Sequence, residues 1–307
     1  MPTPSRAAST RWKTFAWAVP AAIVLVVIVV LAARGLRQLP DVRSFIADYP
    51  GHAALPTDAP VGLPAWLGWQ HFLNGFFLIL IIRSGWLVRK TKRPPAFWTR
   101  DNTRFPRTTN PPKRISLDLW LHLSLDVLWI LNGIVFIVLI FATGQWVRIV
   151  PTGWDIIPNA LSVAIQYASL DWPLENGWLN YNALQVIAYF LTVFVAAPLA
   201  IVTGIRMSGL WPQGAKRLNR RYPIEIARAV HFPVMLYFVL FVIVHVTLVL
   251  ATGALRNLNH MYGSRDDGSW VGAGIFALSL MVMIAAWLLA RPLFLRPIAS
   301  LMGKVSR

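Results

Sequence analysis

The residues best placed to do chemistry are four histidines, His71, His122, His231 and His245, each standing inside a long apolar stretch. His231 and His245 share one stretch and are fourteen residues apart. At about 100° and 1.5 Å per residue, a helix brings a side chain fourteen steps on to within about 40° of the same face, about 21 Å further along. Two imidazoles then point the same way at two depths of a membrane. Imidazole is the usual axial ligand of a b-type haem, and the other two histidines are available to complete two pairs.

The elements that must hold these side chains are membrane helices. The chain has 307 residues, 56% of them hydrophobic and 13% charged, with a mean hydropathy of +0.55. A soluble domain carries nearer a quarter charged residues. Apolar stretches near 15–34, 65–86, 117–142, 183–205, 227–251 and 271–292 are each long enough to cross a bilayer. The expected fold is all-α and integral to the membrane, with six transmembrane helices. Residues 1–64 read as an anchor helix and outer loop, 65–251 as the core bundle, and 252–307 as an outer loop, a last helix and a basic tail. Arg6, Arg11 and Lys13 precede the first apolar run as they would in a signal sequence. That run is long for one, and Arg34-Gly35-Leu36 is a poor cleavage site, so an uncleaved anchor is expected.

The absence of cysteine excludes disulfides, thiolate-held iron–sulfur clusters and cysteine nucleophiles. The net charge of +17 suggests nucleic acid, but the bases lie in loops beside apolar spans, which is how orientation in a bilayer is encoded. No nucleic-acid partner is expected; the surrounding partner is membrane lipid. The 87–116 loop holds nine Lys or Arg, the 206–226 loop adds Arg206, Lys216, Arg217, Arg220 and Arg221, and the tail carries Arg296, Lys304 and Arg307. The 143–180 loop has Arg148 alone, against Asp155, Asp171 and Glu175. Both termini and the basic loops are thereby expected in the cytoplasm of a bacterial cell, with the spans in its plasma (inner) membrane. Trp66, Trp69, Trp86, Trp120, Trp146 and Trp270 fall near span ends, where indoles favour the water–lipid boundary. Pro94-Pro95, Pro106 and Pro111-Pro112 make the first basic loop an extended connector.

That topology puts His71 and His245 near the outer surface and His122 and His231 near the inner one. The depths match in pairs although the orientation came from loop charge alone. A hydrogen-bonded core histidine is the ordinary alternative at any one position, but four ionisable groups inside spans, two to a level, point to function. A structural zinc fits less well, because it would want four ligands in one place. Gly75 and Gly133 could let a porphyrin approach a helix backbone, or could serve helix packing. Arg83, Arg114 and Arg228 could pair with propionates of the inner haem, or mark the membrane edge. Pro233 should disturb the helix beside His231. Asp126, four residues beyond His122 on the same face, could orient a ligand, pair with an arginine or carry protons. His52 and His260 fall in outer loops, where solvated side chains are the ordinary expectation.

One histidine on each of two successive spans, then two on a later span fourteen apart, resembles the prokaryotic cytochrome b561 superfamily. Its members include the di-haem cytochrome b subunits of nickel–iron hydrogenases and formate dehydrogenases. The likeness covers about 65–251. The resemblance implies a di-haem helical bundle with an extra N-terminal helix, His71 and His245 on one haem b, and His122 and His231 on the other. It also implies a quinone pocket beside one haem and a separate redox enzyme subunit, of molybdopterin oxidoreductase or hydrogenase type, beside the other. By the same analogy the pocket lies near the start of the fourth span, where Asn180, Tyr181 and Asn182 stand, with His260 in reach. The chain shows no nucleotide, flavin or molybdenum-cofactor motif, so substrate chemistry would belong to the partner. The expected role is an electron-transfer subunit of a respiratory-chain oxidoreductase. The rival from another class is a haem-free transporter or proton pathway built on intramembrane histidines, although inverted repeats and broken helices are not evident.

Overall fold

The computed structural model describes residues 6–104, 107, 111–172, 176–212 and 214–307, with side chains from residue 16 onward. Pro106, Glu175 and the side chains of Arg6, Arg11 and Lys13 lie outside the described set. In chain order the elements are α1 (Arg6–Leu36), α2 (Pro40–Asp48), α3 (Ala65–Lys90), β1 (Phe97–Arg100), β2 (Arg114–Ser116), α4 (Leu117–Ala142), α5 (Ile156–Ala168), α6 (Ala183–Phe190), a π-helical segment (Leu191–Ala196), α7 (Ala197–Met207), α8 (Lys216–Arg221), α9 (Ile224–Ala251), α10 (Ala254–Leu258), a second π-helical turn (Asn259–Gly263), α11 (Val271–Leu289), α12 (Pro292–Ser300) and β3 (Gly303–Ser306). Six helical runs are long and apolar enough to cross a membrane: Ala16–Leu36, Ala65–Lys90, Leu117–Ala142, Ala183–Met207, Ile224–Ala251 and Val271–Leu289. The chain is therefore a multi-pass helical membrane protein, as its apolar periodicity requires.

The chain forms two compact units, one of residues 1–59 and 147–190, the other of 60–146 and 191–307. In the first, the span of α1 buries none of its apolar window, and Ile23, Val24, Leu25, Ile28 and Leu31 are all exposed. A helix apolar all round presents its side chains to lipid or to another membrane helix. The amphipathic α5 buries Ile156 and Ala160 against Ala183 and Val186 of α6. Asn182 caps α6 reciprocally with Gln185: the Gln185 backbone N–H donates to Asn182 Oδ1 at 2.8 Å, and the Asn182 N–H donates to Gln185 Oε1 at 3.1 Å.

The second unit holds α3, α4, α7, α9 and α11. Ser116 caps α4 by accepting from the Leu119 N–H. α3 continues to Lys90, past the expected end. Arg89 lays its guanidinium over Phe232 (3.9 Å) and Lys90 its ammonium over Trp86 (4.3 Å), so the last turn carries charges that its dipole favours and whose stems pack on apolar surface. The loop expected to be merely extended instead forms a three-stranded antiparallel sheet, ordered β2-β1-β3, in which Phe97 pairs with both Ser116 and Ser306. Its underside closes a core of Leu80, Trp98, Leu117, Trp120, Leu121 and Leu295. Trp120 is thus no lipid anchor; it is buried against Trp98, whose indole N–H donates to the Ala299 carbonyl at 2.9 Å. Trp69 and Trp270 are exposed at span ends as expected.

The proline expectation is displaced. α9 runs unbroken through Pro233. The irregularity falls in the fourth span, where the π-helical segment Leu191–Ala196 precedes Pro198 at the start of α7. Pro198 cannot donate to the Phe194 carbonyl and its ring crowds it, and a wider turn just before it relieves both.

Candidate functional site

Within the second unit, α3 and α9 bring His71 and His245 together, and α4 and α9 bring His122 and His231 together. The ring centroids are 6.0 Å apart in the first pair and 6.4 Å in the second. Two imidazoles gripping one metal from opposite sides, each nitrogen about 2 Å from it, have centroids about 6.3 Å apart. Both separations match that spacing, with the rings tilted at 51° in the first pair and 80° in the second, and both also lie within the range of direct ring contact.

The His122–His231 pair shows how each ring is aimed. Ser84 Oγ donates to the Ile81 carbonyl at 3.0 Å and lies 3.0 Å from His122 Nδ1. Thr203 Oγ1 donates to the Leu199 carbonyl at 2.6 Å and lies 2.8 Å from His231 Nδ1. With each hydroxyl hydrogen given to the backbone, each hydroxyl oxygen is free to accept from Nδ1–H, beside the carbonyls of Ile81 and Ala200. In that tautomer Nε2 keeps its lone pair, as a ligand requires. A glycine follows each hydroxyl. A Cβ on Gly85 would lie 3.0 Å from His122 Cε1, and one on Gly204 3.7 Å from His231 Cε1. α3 and α7 thus present the same hydroxyl–glycine couple to the two rings. The sequence reading missed it because Ser84-Gly85 and Thr203-Gly204 look like ordinary helix-packing residues; the signal available was their recurrence on two spans.

The His71–His245 pair is held by packing. His245 stacks on Phe241 (5.6 Å, 6°), and His71 meets the edge of Tyr262 (5.7 Å, 88°). His71 Nδ1 is buried without a hydrogen-bond partner.

Other residues fit a large anionic macrocycle to different degrees. Arg83 has a buried Nη1 with no hydrogen-bond partner, on a guanidinium lying over Trp287 at 5.3 Å. A buried cationic donor without an acceptor is what a propionate would satisfy. Gly75 and Gly133 have nothing within 4 Å of where a Cβ would stand, so the space beside each is open. Arg228 is exposed on α9, three residues before His231. Arg114 is engaged in the sheet, over Phe97 at 3.8 Å and donating to the Arg307 carbonyl at 2.7 Å. Asp126 Oδ2 stands 3.7 Å from His122 Nε2, so the carboxylate does not hold the Nδ1 that Ser84 holds.

The residues expected near a quinone have defined surroundings. In the first unit Asn180 donates to the Ala53 carbonyl (2.9 Å), and Asn182, 2% exposed, donates to Tyr167 Oη (2.7 Å). Tyr181 lies under the guanidinium of Arg148 (5.1 Å) and against Tyr189. Burial pushes the Tyr181 hydroxyl above its ordinary range, opposed by Arg148, and burial lowers Arg148. Arg148, 1% exposed, donates to the carbonyls of Gly177 and Trp178. In the second unit His260 is not a solvated loop side chain. It is 4% exposed in the second π-helical turn, with Nε2 2.7 Å from Asp266, which also pairs with Arg256 at 3.0 Å. The turn buries it because Asn259 ties the segment to Asp267, Ser269 and the Gly272 N–H.

No cluster of three or more metal-ligating residues occurs among the described residues. Tetrahedral zinc wants four protein or water ligands, whereas a porphyrin brings its own four nitrogens and asks two of the protein. A membrane bundle offering imidazoles in twos, one couple with hydroxyls placed against Nδ1, is of the b-type cytochrome class. Residues 63–264 match the family described as prokaryotic cytochrome b561, and the chain belongs to that family. It is a membrane haem-b electron-transfer subunit. A protein of Azospira oryzae named as a protein-methionine-sulfoxide reductase subunit, YedZ1, is 28% identical over 201 residues, covering 61% of this chain and 88% of that protein. No solved structure matches the chain.

Proposed function

We propose that the chain carries two b haems, His71 with His245 on one and His122 with His231 on the other, and passes electrons between quinone and a partner oxidoreductase. The observation that carries this reading is the pair of centroid separations, 6.0 and 6.4 Å, on histidines fourteen residues apart along α9. A bound haem would supply a one-electron iron couple, and the two histidines of each pair would hold it. The chain's own residues aim the imidazoles, exclude water and neutralise propionates. Arg83 serves the last role, with Arg228 at the membrane edge; Gly75 and Gly133 leave room for the macrocycle.

Asn180, Tyr181, Asn182 and His260 remain the candidates for quinone contact. The relative's name supports a reductase as partner, of the molybdopterin type or otherwise, and the hydrogenase type remains the other candidate. The β1–β3 pairing joins the basic 87–116 loop to the basic tail on one side of the bundle. This supports the cytoplasmic side for that face and for the C-terminus, in a bacterial inner membrane. The test is the reduced-minus-oxidised spectrum of the purified chain with its haem content. Two low-spin haems per chain are expected, one after His71→Ala and one after His122→Ala. A colourless protein, or two haems in both variants, refutes the assignment.

A further inference from the structure

A basic groove of about 590 Å³ lies in the first unit, at the end of α1, between α2 and the residues after α5. It is lined by Arg34, Arg37, Gln38, Arg43, Ser169 and Asp171 among others. Arg34 Nε donates to the Ser169 carbonyl at 3.1 Å, and Arg37 Nη1 donates to Ser169 Oγ at 2.8 Å. Arg37 Nη1 also pairs with Asp171 at 2.5 Å. Arg43 donates to the Arg37 carbonyl at 3.3 Å and to Gln38 Oε1. These contacts fix three guanidinium groups against one carboxylate, itself 69% exposed. Nη1 and Nη2 of Arg34, Nη2 of Arg37 and Nη1 of Arg43 have no hydrogen-bond partner among the described residues.

Signalling membrane orientation needs only positive charge, which a mobile lysine supplies as well. Pinning two guanidiniums to a fully buried serine more than 130 residues away does something further. It presents planar donor forks at fixed places, the geometry that recognises phosphate oxygens. Arg34 lies in the last turn of an apolar span, the position at which a hydrocarbon layer would give way to headgroups. We propose that Arg34, Arg37 and Arg43 form a phosphate-binding site at the end of α1, taking a phosphate carried by an anionic phospholipid headgroup or free in solution. The proposal stands independently of the haem assignment.

Native mass spectrometry of the full chain, in mixed micelles of phosphatidylglycerol and phosphatidylcholine, tests it. Retention of phosphatidylglycerol over phosphatidylcholine supports a lipid source. A rise in thermal midpoint with millimolar inorganic phosphate, and loss of bound lipid on its addition, supports a free one. Arg34→Gln and Arg37→Gln unfasten Ser169 and could unfold the unit, so Arg43→Gln, which leaves that fastening intact, is the deciding variant. It should weaken binding about fivefold, the usual effect of one arginine near a phosphate-bearing surface. Asp171→Asn should strengthen binding, because it removes the competing carboxylate. Far-UV circular dichroism confirms folding of each. Binding unchanged by Arg43→Gln, or weakened by Asp171→Asn, or neither lipid preference nor a phosphate effect in the parent chain, overturns the proposal.

Discussion

Thr203→Val removes one oxygen and keeps the side-chain shape. In the structure that oxygen gives its hydrogen to the Leu199 carbonyl and lies 2.8 Å from His231 Nδ1. Valine removes the hydroxyl acceptor and leaves the Nδ1–H the Ala200 carbonyl alone, at a cost of about 1 kcal/mol. The ring also loses a contact that favours its tautomer, which for metal-ligating histidines typically costs about 10–100-fold in affinity. Accepting from Nδ1–H would make Nε2 a stronger donor and would favour the oxidised state of a haem held there. If that preference is worth about 1 kcal/mol, its loss raises one midpoint potential by about 40 mV. The assay is a potentiometric titration of the purified protein with haem content measured in parallel. One of two components should shift upward and lose occupancy while the other stays in place, and Thr203→Ser should restore the parent behaviour. Unchanged potentials and full occupancy in Thr203→Val would refute the tautomer argument.

Arg83→Leu should lower the potential of one haem and leave the other, because a half-buried cation with a buried, unpartnered Nη1 favours the reduced, less positive state; redox titration reads it, and equal shifts in both would count against a propionate role. Gly85→Ala gains up to about 1 kcal/mol of helix propensity. It also sets a methyl 3.0 Å from His122 Cε1, an overpacking that costs about 1–3 kcal/mol. The net expected result is a lower thermal midpoint and an altered low-spin signal from one haem, by electron paramagnetic resonance. Burial raises the Tyr262 hydroxyl from 10.0 to about 12. The unfolded chain therefore ionises first, and stability present below pH 10 is lost as pH rises towards about 12. Tyr262→Phe should flatten that alkaline loss in melts recorded between these limits, and an unchanged slope would count against the burial of the hydroxyl.

The spans were legible because twenty or so apolar residues in a row leave a chain few choices, and the four histidines because an imidazole amid such residues stands out. The pairing of His71 with His245 and His122 with His231 was readable from loop charge, since charge orders the spans by depth. Ser84 and Thr203 were not readable. A hydroxyl in a span is common, and only the packing of α3 on α4 and of α7 on α9 shows which ones reach an imidazole. The sheet escaped notice because β1, β2 and β3 are three or four residues each, and β3 finds its partner some two hundred positions away. His260 was misjudged as solvated because burial in a π-helical turn comes from Asn259 fastening the loop, which local composition does not encode. Pro233 misled for a simpler reason. One missing rung in a helix of twenty-eight residues is tolerated when its neighbours keep theirs.

The sheet has a consequence for biosynthesis. Gly303–Ser306, which zips onto Phe97–Arg100, leaves the ribosome some two hundred residues after its partner strand, when the helices it fastens have already entered the bilayer. A Cβ at Gly303 would collide with the Thr99 carbonyl and the Trp98 indole, so the clasp closes only on a residue without a side chain. The α3–α4 hairpin must therefore wait unlatched through the translation of everything between, and a nascent chain stopped at Met302 would keep that end open.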